Sequence, residues 1–252
     1  MIDYFAYYLN FRHHHWNIWS ILFCTCLLAA CAQEQYYMEC RDTDDVTPVD
    51  TSGLVQFDSL ANDAQTLFQL CGEDGPRFDN RFSPYKGGDL SSDVVVEHWA
   101  MLKCPHCAHF TEYVNELLRT RPEVKNRVRF YFHHYTWNDY VAYHQAAFAV
   151  SQQGMDKFWR FHDILFANTS VLLDYLALRD IAMYDVDVDI AQYDLLTSSA
   201  TAEGQKALAW LEYEKNVAQA NCVFATPTVY VCGRKIDDWP NLGETLSDYL
   251  KP

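Results

Sequence analysis

The stretch that decides the fold is residues 93–110, which read DVVVEHWAMLKCPHCAHF. Its first part, residues 93–99, is short, apolar and β-branched, and this pattern predicts a buried strand. Two cysteines separated by two residues follow that strand, and the segment after Cys107 repeats apolar residues at helical spacing. A CxxC pair between a strand and a helix is typical of a thiol redox site.

The four residues Cys104, Pro105, His106 and Cys107 carry the predicted chemistry. Cys104 is expected at the helix N-terminus, where unsatisfied backbone N–H groups and the helix dipole stabilise a thiolate. Cys107 lies one turn further on, shielded and close enough to form a disulfide with Cys104. Pro105 shortens the turn, and His106 can donate to the Cys104 sulfur. Because a stabilised thiolate is a good leaving group, the pair is predicted to be a strong oxidant, with Cys104 as nucleophile and Cys107 as resolving cysteine.

The same residues allow one alternative, half of a zinc site with Cys104, Cys107 and His109 as ligands. Structural zinc sites usually bring a second ligand pair at CxxC or HxxxH spacing, and Cys222 and Cys232 are too far apart in sequence to supply one. The redox interpretation is therefore preferred, and no metal or cofactor is expected.

The rest of the chain interleaves strands with helices. Residues 128–132 and 228–231 predict further strands, 235–236 a short return strand and 242–250 a last helix. Residues 138–220 have helical period throughout. This order predicts an α/β fold with an all-helical insertion.

Residues 225–228 (Ala-Thr-Pro-Thr) lead into the strand at 228–231 and resemble the cis-proline segment of thioredoxin-fold proteins. Together with the CPHC motif and the helical insert, they make residues 90–252 resemble the DsbA family of thiol:disulfide oxidoreductases. The resemblance implies a thioredoxin-like domain formed by 85–137 and 221–252, with 138–220 inserted. It also implies that Thr226 and Pro227 face the CxxC pair and bind substrate backbone like an added strand.

The DsbA family often carries a buried Glu six residues before the first cysteine, where it helps proton transfer. Here His98 holds that position and Glu97 precedes it. Because neighbouring strand residues point to opposite faces of a sheet, only one of the two can lie beneath the CxxC pair. Both are candidates for a buried proton relay, and Glu97 is preferred because a carboxylate suits the role. His133 and His134, at the end of the next strand, are expected to be solvated.

The N-terminal region resembles an export signal. Residues 18–30 (IWSILFCTCLLAA) are uncharged and mostly apolar but too few to cross a bilayer, and they end at Cys31 as in a bacterial lipobox. We predict that 1–30 is a lipoprotein signal peptide and that Cys31 carries the lipid. A plain signal peptide, or a short anchor with an incidental cysteine, is the alternative. Because Ala32 follows rather than Asp, the resemblance favours the outer membrane and a chain that faces the periplasm of a bacterial envelope.

Residues 31–84 are then expected to be a tether and an N-terminal extension. The chain has nine cysteines, and an exported protein meets an oxidising compartment. The four cysteines outside the motif and the leader region are therefore expected to pair as Cys40–Cys71 and Cys222–Cys232. The alternative is that they stay as buried free thiols.

The composition narrows the partners. With 19 Lys and Arg against 34 Asp and Glu, the formal net charge of −15 argues against a nucleic-acid-binding surface. We expect a monomer that passes its Cys104–Cys107 disulfide to unfolded or reduced exported proteins through a mixed disulfide. A membrane partner, quinone-linked and DsbB-like, would reoxidise it. The alternatives are a disulfide reductase or isomerase on the same fold, a non-redox peptide-binding module, and a zinc-bound structural protein.

Overall fold

The computed structural model describes residues 46–57, 78–92, 94–136 and 140–251. In these ranges the strands are β1 (Tyr85–Gly87), β2 (Val94–Ala100), β3 (Val128–His134), β4 (Thr228–Val231) and β5 (Arg234–Ile236). The helices are α1 (Pro105–Thr120), α2 (Pro122–Arg127), α3 (Val141–Ser151), α4 (Met155–Ala167), α5 (Tyr175–Asp180), α6 (Ile190–Thr197), α7 (Ala202–Ala220) and α8 (Leu242–Tyr249). A π-helical turn, Ile181–Asp185, continues α5. The predicted α/β fold, with helices inserted between β3 and β4, is confirmed.

The five strands form one sheet in the order β1-β3-β2-β4-β5. β2 and β3 run parallel, with Val94 opposite Val128 and Ala100 opposite His134, and the other pairs are antiparallel. Every residue of β2 and β3 is buried, because helices or loops cover both faces of the sheet.

The two faces of the sheet hold different side chains of β2. Val94 and Val96 pack with Phe110 and Val114 of α1, on what we call the cysteine face. Trp99 is an odd number of residues along the strand from Val94 and Val96, and it packs on the opposite face with Phe78 and Tyr230. The alternation follows from the pleat of a strand, and it decides which polar residues of β2 can reach the CxxC pair.

The helical insert shares a hydrophobic core with the CxxC segment. Side chains of α3, α4, α6 and α7, among them Phe158, Phe161 and Trp210, belong to the same buried cluster as Cys104 and Cys107. Burial of one such aromatic side chain contributes about 1.5–3 kcal/mol. The insert therefore supports the redox segment directly.

Residues 72–89 are rich in Gly, Pro and Asp, a composition that predicts a loop, but they contain β1 in the structure. Tyr85 of β1 pairs with Tyr131 of β3, and the strand ends at Gly87, whose φ is 90°. A Cβ at Gly87 would collide with the carbonyl of Val128, so glycine fits the position. Three residues are too few to show a strand period, which is why the sequence did not reveal β1.

The described part of the N-terminal extension, residues 46–57, contacts the insert. Val49 and Leu54 pack against the core of the insert, and the Val55 N–H donates to Gln152 Oε1 at 2.8 Å. These residues are therefore held in place rather than forming part of an unattached tether. The predicted leader 1–30 and Cys31 lie outside the described residues. Within the ranges described, no helix combines the length and apolar character needed to span a bilayer.

Candidate active site

Cys104 caps the N-terminus of α1. Its backbone is extended, Pro105 begins the helix, and the Cys104 Sγ accepts the Cys107 N–H at 3.4 Å. The Cys104 N–H donates to the Met101 carbonyl at 2.9 Å, which closes a turn between β2 and the helix. Cys104 and Cys107 are both buried and carry free thiols. The two sulfurs therefore meet at the end of the helix where the dipole is positive.

The two thiols differ in acidity. A hydrogen bond from Cys107, together with contacts to Thr226 and the backbone N–H groups of Cys107 and His106, lowers the pKa of Cys104 to about 5. Burial raises the pKa of Cys107 far above its usual range. At neutral pH Cys104 is therefore a thiolate and Cys107 a thiol, as nucleophilic attack and its resolution require.

The segment at Thr226 and Pro227 lies against Cys104. The peptide bond between them is cis, and the Cys104 thiol group lies 3.4 Å from the Thr226 carbonyl oxygen. Thr228 then begins β4 opposite Trp99, at the end of β2 that leads to the CxxC turn. Thr226 and Pro227 are half-buried, so part of this segment is open to another molecule.

Pro105 and His106 are exposed beside the two sulfurs. The contribution of His106 to Cys104 that the structure displays comes from its backbone N–H. Its ring lies 6.5 Å from the ring of His109, centroid to centroid. The predicted donation from the His106 ring to sulfur therefore stays a prediction.

Glu97 and His98 are both buried, on opposite faces of β2. His98 lies on the cysteine face, with its ring centroid 4.3 Å from that of Phe110 in α1. Glu97 lies on the opposite face, where its Oε1 accepts from Asn80 Nδ2 at 3.4 Å. The preference for Glu97 as the relay beneath the CxxC pair was wrong, because the pleat of β2 directs its side chain away from α1.

A small cavity adjoins His98 beneath α1. It measures about 10 Å³ and is lined by His98, Thr111, Lys86 and His162, among others. This is close to the space that one water molecule needs. The Nε2 atoms of His98 and His162 are buried and have no hydrogen-bond partner among the described residues.

Two residues that line this cavity, His162 and Lys86, lie beside the half-exposed carboxylate of Asp163. His162 Nδ1 lies 2.8 Å from Asp163 Oδ1, and the Asp163 side chain is 47% exposed. Lys86 Nζ lies 3.9 Å from the same carboxylate, and burial lowers the pKa of Lys86 to about 8. Polar groups that the sequence did not single out therefore lie between the cavity beside His98 and solvent.

His133 and His134 are buried, and the expectation that they are solvated was wrong. They are the last two residues of β3, which runs two residues past its predicted end to match β2 in length. His133 Nδ1 lies 3.0 Å from Glu214 Oε1, and His134 Nδ1 lies 2.9 Å from His144 Nδ1. Matching the lengths of paired strands is the signal that would have placed them inside.

Cys222 and Cys232 are each disulfide-bonded. Their predicted pairing with one another stays a prediction, as does a Cys40–Cys71 bridge, since Cys40 and Cys71 lie outside the described residues. In the described parts of the chain, no three His, Cys, Asp or Glu side chains are placed to hold a metal ion together.

Comparison with known proteins agrees with this geometry. A family model described as thioredoxin (Thioredoxin_4) matches residues 84–251. No curated protein sequence matches the chain.

Solved structures with the same fold share little sequence with the chain. Oxidised BdbD from Bacillus subtilis is 21% identical, with a TM-score of 0.57 over 68% of this chain and 94% of that one. ScsC from Proteus mirabilis, in a transitional conformation, is 14% identical, with a TM-score of 0.54 over 92% of this chain and 89% of that one. The thiol-disulfide exchange protein alpha-DsbA2 from Wolbachia pipientis is 15% identical, with a TM-score of 0.53 over 73% and 91% of the two chains. The chain therefore belongs to the thioredoxin family, and its fold is that of the DsbA-like thiol-disulfide oxidoreductases.

Proposed function

We propose that this protein is a thiol:disulfide oxidoreductase of the bacterial envelope that introduces disulfides into exported proteins. The observation that carries the proposal is the unequal pair of thiols at the start of α1. Cys104 Sγ accepts the Cys107 N–H and lies beside the Thr226 carbonyl, whereas Cys107 is fully buried. Stabilising the Cys104 thiolate stabilises the reduced enzyme, so the oxidised enzyme becomes a strong oxidant.

The reaction starts from the Cys104–Cys107 disulfide. A substrate thiolate attacks Cys104 Sγ, a bond forms between these sulfurs, and Cys107 leaves and takes up a proton. A second substrate thiolate then attacks the substrate sulfur of this mixed disulfide and releases Cys104 as a thiolate. The substrate loses two electrons and gains a disulfide, and the enzyme gains the two electrons as a reduced cysteine pair. The low pKa of Cys104, about 5, makes it the better leaving group in the second step.

Thr226 and Pro227 supply the substrate-binding edge. They are half-buried next to Cys104 and continue into β4. An extended substrate segment that pairs with this backbone brings its cysteine within reach of Cys104, and main-chain pairing accepts many sequences. Unfolded or reduced exported proteins fit this requirement, because their chains are still available in extended form.

His98 is the proposed proton relay for Cys107. It lies beneath α1 on the cysteine face, its Nε2 has no hydrogen-bond partner among the described residues, and it lines a cavity that His162 also lines. Cys107 must gain a proton when it leaves and lose one when the enzyme is reoxidised. The connection from His162 to the half-exposed Asp163 gives that proton an exit to solvent.

Location and recycling complete the proposal. Cys31 would carry lipid after removal of 1–30 and hold a monomeric enzyme on the periplasmic side of the outer membrane. The acidic chain, with its formal net charge of −15, has little electrostatic attraction to anionic lipid, so an acyl anchor would hold it there. Reoxidation of Cys104 and Cys107 requires an electron acceptor, and a quinone-linked membrane protein similar to DsbB supplies one.

Equilibration with glutathione tests the direction of the reaction. The protein is incubated in glutathione buffers of graded ratio, trapped by alkylation and analysed for the Cys104–Cys107 state by mass spectrometry. We expect the pair to stay reduced until the buffer is strongly oxidising, and reduction to raise stability in urea. If the oxidised form is instead much more stable than the reduced form, a reductase replaces the oxidase.

A further inference from the structure

The turn that precedes the CxxC motif, Met101–Lys103, is held from the helical insert. The Met101 carbonyl of this turn accepts the Cys104 N–H, so the position of the turn sets where α1 begins. Two contacts reach it from the insert, one on the Leu102 backbone and one on the Lys103 side chain. In both contacts the partner group belongs to the helical insert and not to the thioredoxin-like part of the chain.

The first contact is made by His144 of α3. The Leu102 N–H donates to His144 Nε2 at 3.3 Å, so this nitrogen carries no proton. In the neutral ring the proton then sits on Nδ1, which donates to His134 Nδ1 at 2.9 Å. Burial lowers the pKa of His144 well below its usual value, which keeps the ring neutral and the acceptor available. The hydrogen bonds therefore fix one tautomer and one ring orientation.

His134 is itself anchored by a buried polar group. Its backbone N–H donates to Glu214 Oε2 of α7 at 3.1 Å, and Glu214 Oε1 lies 3.0 Å from His133 Nδ1. His133 Nε2 lies 2.9 Å from Asn80 Oδ1, a carbonyl oxygen that can only accept, so His133 Nδ1 carries no proton and can accept from Ser83 Oγ at 3.2 Å or from the carboxyl proton of Glu214 at 3.0 Å. Burial raises the pKa of Glu214 to about 7, in agreement with a protonated carboxyl. His144 thus stands on a chain of oriented hydrogen bonds.

The second contact is made by Lys103. Its ammonium donates to the backbone carbonyls of Asn168, Thr169 and Val171, in the loop that follows α4. Three carbonyl oxygens match the three N–H donors of an ammonium. Residues of the insert therefore hold the turn at two places, the Leu102 backbone N–H and the Lys103 side chain.

We propose that His144 and Lys103 are positioning residues, by which the helical insert holds the Met101–Lys103 turn so that Cys104 Sγ meets the Cys107 N–H. The inference rests on the proposed redox function and adds that the insert sets the reactivity of the pair. Without these contacts the turn shifts, the Sγ to N–H distance of 3.4 Å lengthens and the thiolate loses its donor. The reactivity of Cys104 then depends on residues that never touch it.

The test measures alkylation of Cys104 by iodoacetamide against pH in the reduced full-length protein, with the Cys104 peptide followed by mass spectrometry. His144→Phe fills the space but lacks the acceptor, and His144→Gln restores an acceptor oxygen near the position of Nε2. We expect His144→Phe to raise the midpoint of the alkylation profile by about one pH unit, as when a thiolate loses most of one hydrogen bond, which slows alkylation about tenfold at pH values below both midpoints. His144→Gln is expected to recover most of that loss.

Lys103→Met supplies an independent test in case His144→Phe does not fold. We expect the midpoint to rise by about half a pH unit, a decrease in rate of about threefold below both midpoints, smaller because the Leu102 contact remains. The decrease should persist in 0.5 M salt, since a displaced turn is not screened whereas a lost Coulomb attraction is. Lys157→Met is the matched control, because Lys157 also donates to a carbonyl of the insert, that of Asp187, away from the turn.

An unchanged alkylation profile in folded His144→Phe, or in Lys103→Met, overturns the proposal. So does a loss in His144→Phe that His144→Gln fails to recover, because it reflects packing rather than the acceptor. Alkylation needs no protein substrate, so these results do not depend on the proposed function. If the wild-type protein fails to oxidise thiols although the variants shift the profile, the proposed function is wrong and the positioning role stands.

Discussion

Glu97 and His98 are neighbours on β2, but their side chains lie in different surroundings. On the cysteine face, His98 has a buried nitrogen without a partner among the described residues and a water-sized cavity beside it. On the opposite face, Glu97 joins Asn80, His133 and Glu214 in a hydrogen-bonded cluster. Glu97 Oε2 is likewise buried without a hydrogen-bond partner among the described residues, so the two side chains differ in what lies beside them and not in having an unpaired atom. The cysteine face offers a cavity beneath α1, whereas the opposite face holds a polar cluster that joins β2, β3 and α7.

Substitution of the two cysteines is expected to change the activity more than any other substitution on the cysteine face. Cys104→Ser removes the attacked sulfur and should abolish oxidation of a reduced model peptide, a loss of more than about 10³-fold. Cys107→Ala leaves the nucleophile without its resolving partner and should accumulate mixed disulfides, visible as added mass that reductant removes. Dithiol oxidation retained by Cys104→Ser would end the redox assignment.

The dependence of stability on pH should differ between the buried histidines, most of which lie on the cysteine face, and the buried carboxyls of Glu97 and Glu214. Burial lowers the pKa of five histidines (His98, His133, His134, His144 and His162), of which only His133 points to the opposite face. Their stabilising contribution is present above pH 6.5 and is lost as the pH falls below it. Burial raises the pKa of Glu97 to about 8 and that of Glu214 to about 7, so their contribution is present below pH 4.5 and is lost as the pH rises through those values.

Between pH 4.5 and 6.5, five histidines therefore favour a rise in stability with pH and two carboxyls oppose it. The net of three protons corresponds to at most about 4 kcal/mol per pH unit. Urea unfolding of the disulfide form at pH 5, 7 and 8 measures both arms, because Cys104 does not titrate in that form and the lowered pKa of Lys86, about 8, affects stability mainly above this range. Glu97→Gln keeps a neutral group at this position, so it should reduce the loss between pH 7 and 8 and increase the loss between pH 7 and 5, where Glu97 opposes the histidines. A stability that is flat between pH 5 and 7 would contradict the neutral buried histidines.

The smallest effect tests the relay. His98→Leu fills the space beneath α1 but cannot carry a proton, and we expect reoxidation of the reduced pair to slow about tenfold and its pH profile to change shape. Glu97→Gln, one residue away on the opposite face, should exchange within about twofold of wild type and serves as the control. Stopped-flow oxidation by glutathione disulfide across pH 5–9 measures both. Equal slowing in the two variants would mean that the faces are not distinct.

The sequence predicts the parts of this molecule that depend on local rules. A cysteine followed by proline after a buried strand leads to an N-capped helix, and the structure has Cys104 at the cap and Pro105 at the first helical position. The long helical period of 138–220 likewise predicts the insert. These features need only neighbouring residues to be recognised.

The parts that the sequence does not reveal depend on distant partners. β1 is a three-residue strand whose existence rests on pairing with β3. His133 and His144 are ordinary polar residues in sequence, and only the packing of α7 and α3 against β3 buries them. The choice between Glu97 and His98 turns on which face of β2 meets α1, and strand alternation alone leaves that choice open.

One feature of the topology bears on the order in which the protein folds. β2 and its neighbour β4 are separated in the chain by the whole insert, and Cys104 meets Thr226 across 122 residues. Contacts of such high sequence separation form late, because their loop-closure entropy must be met before they contribute any stability. While the chain emerges N-terminus first, the cysteine pair is complete long before the strand that flanks it. The nascent protein therefore holds its cysteine pair before Thr226 and β4 are present to flank it, and the contact between Cys104 and Thr226 is completed last.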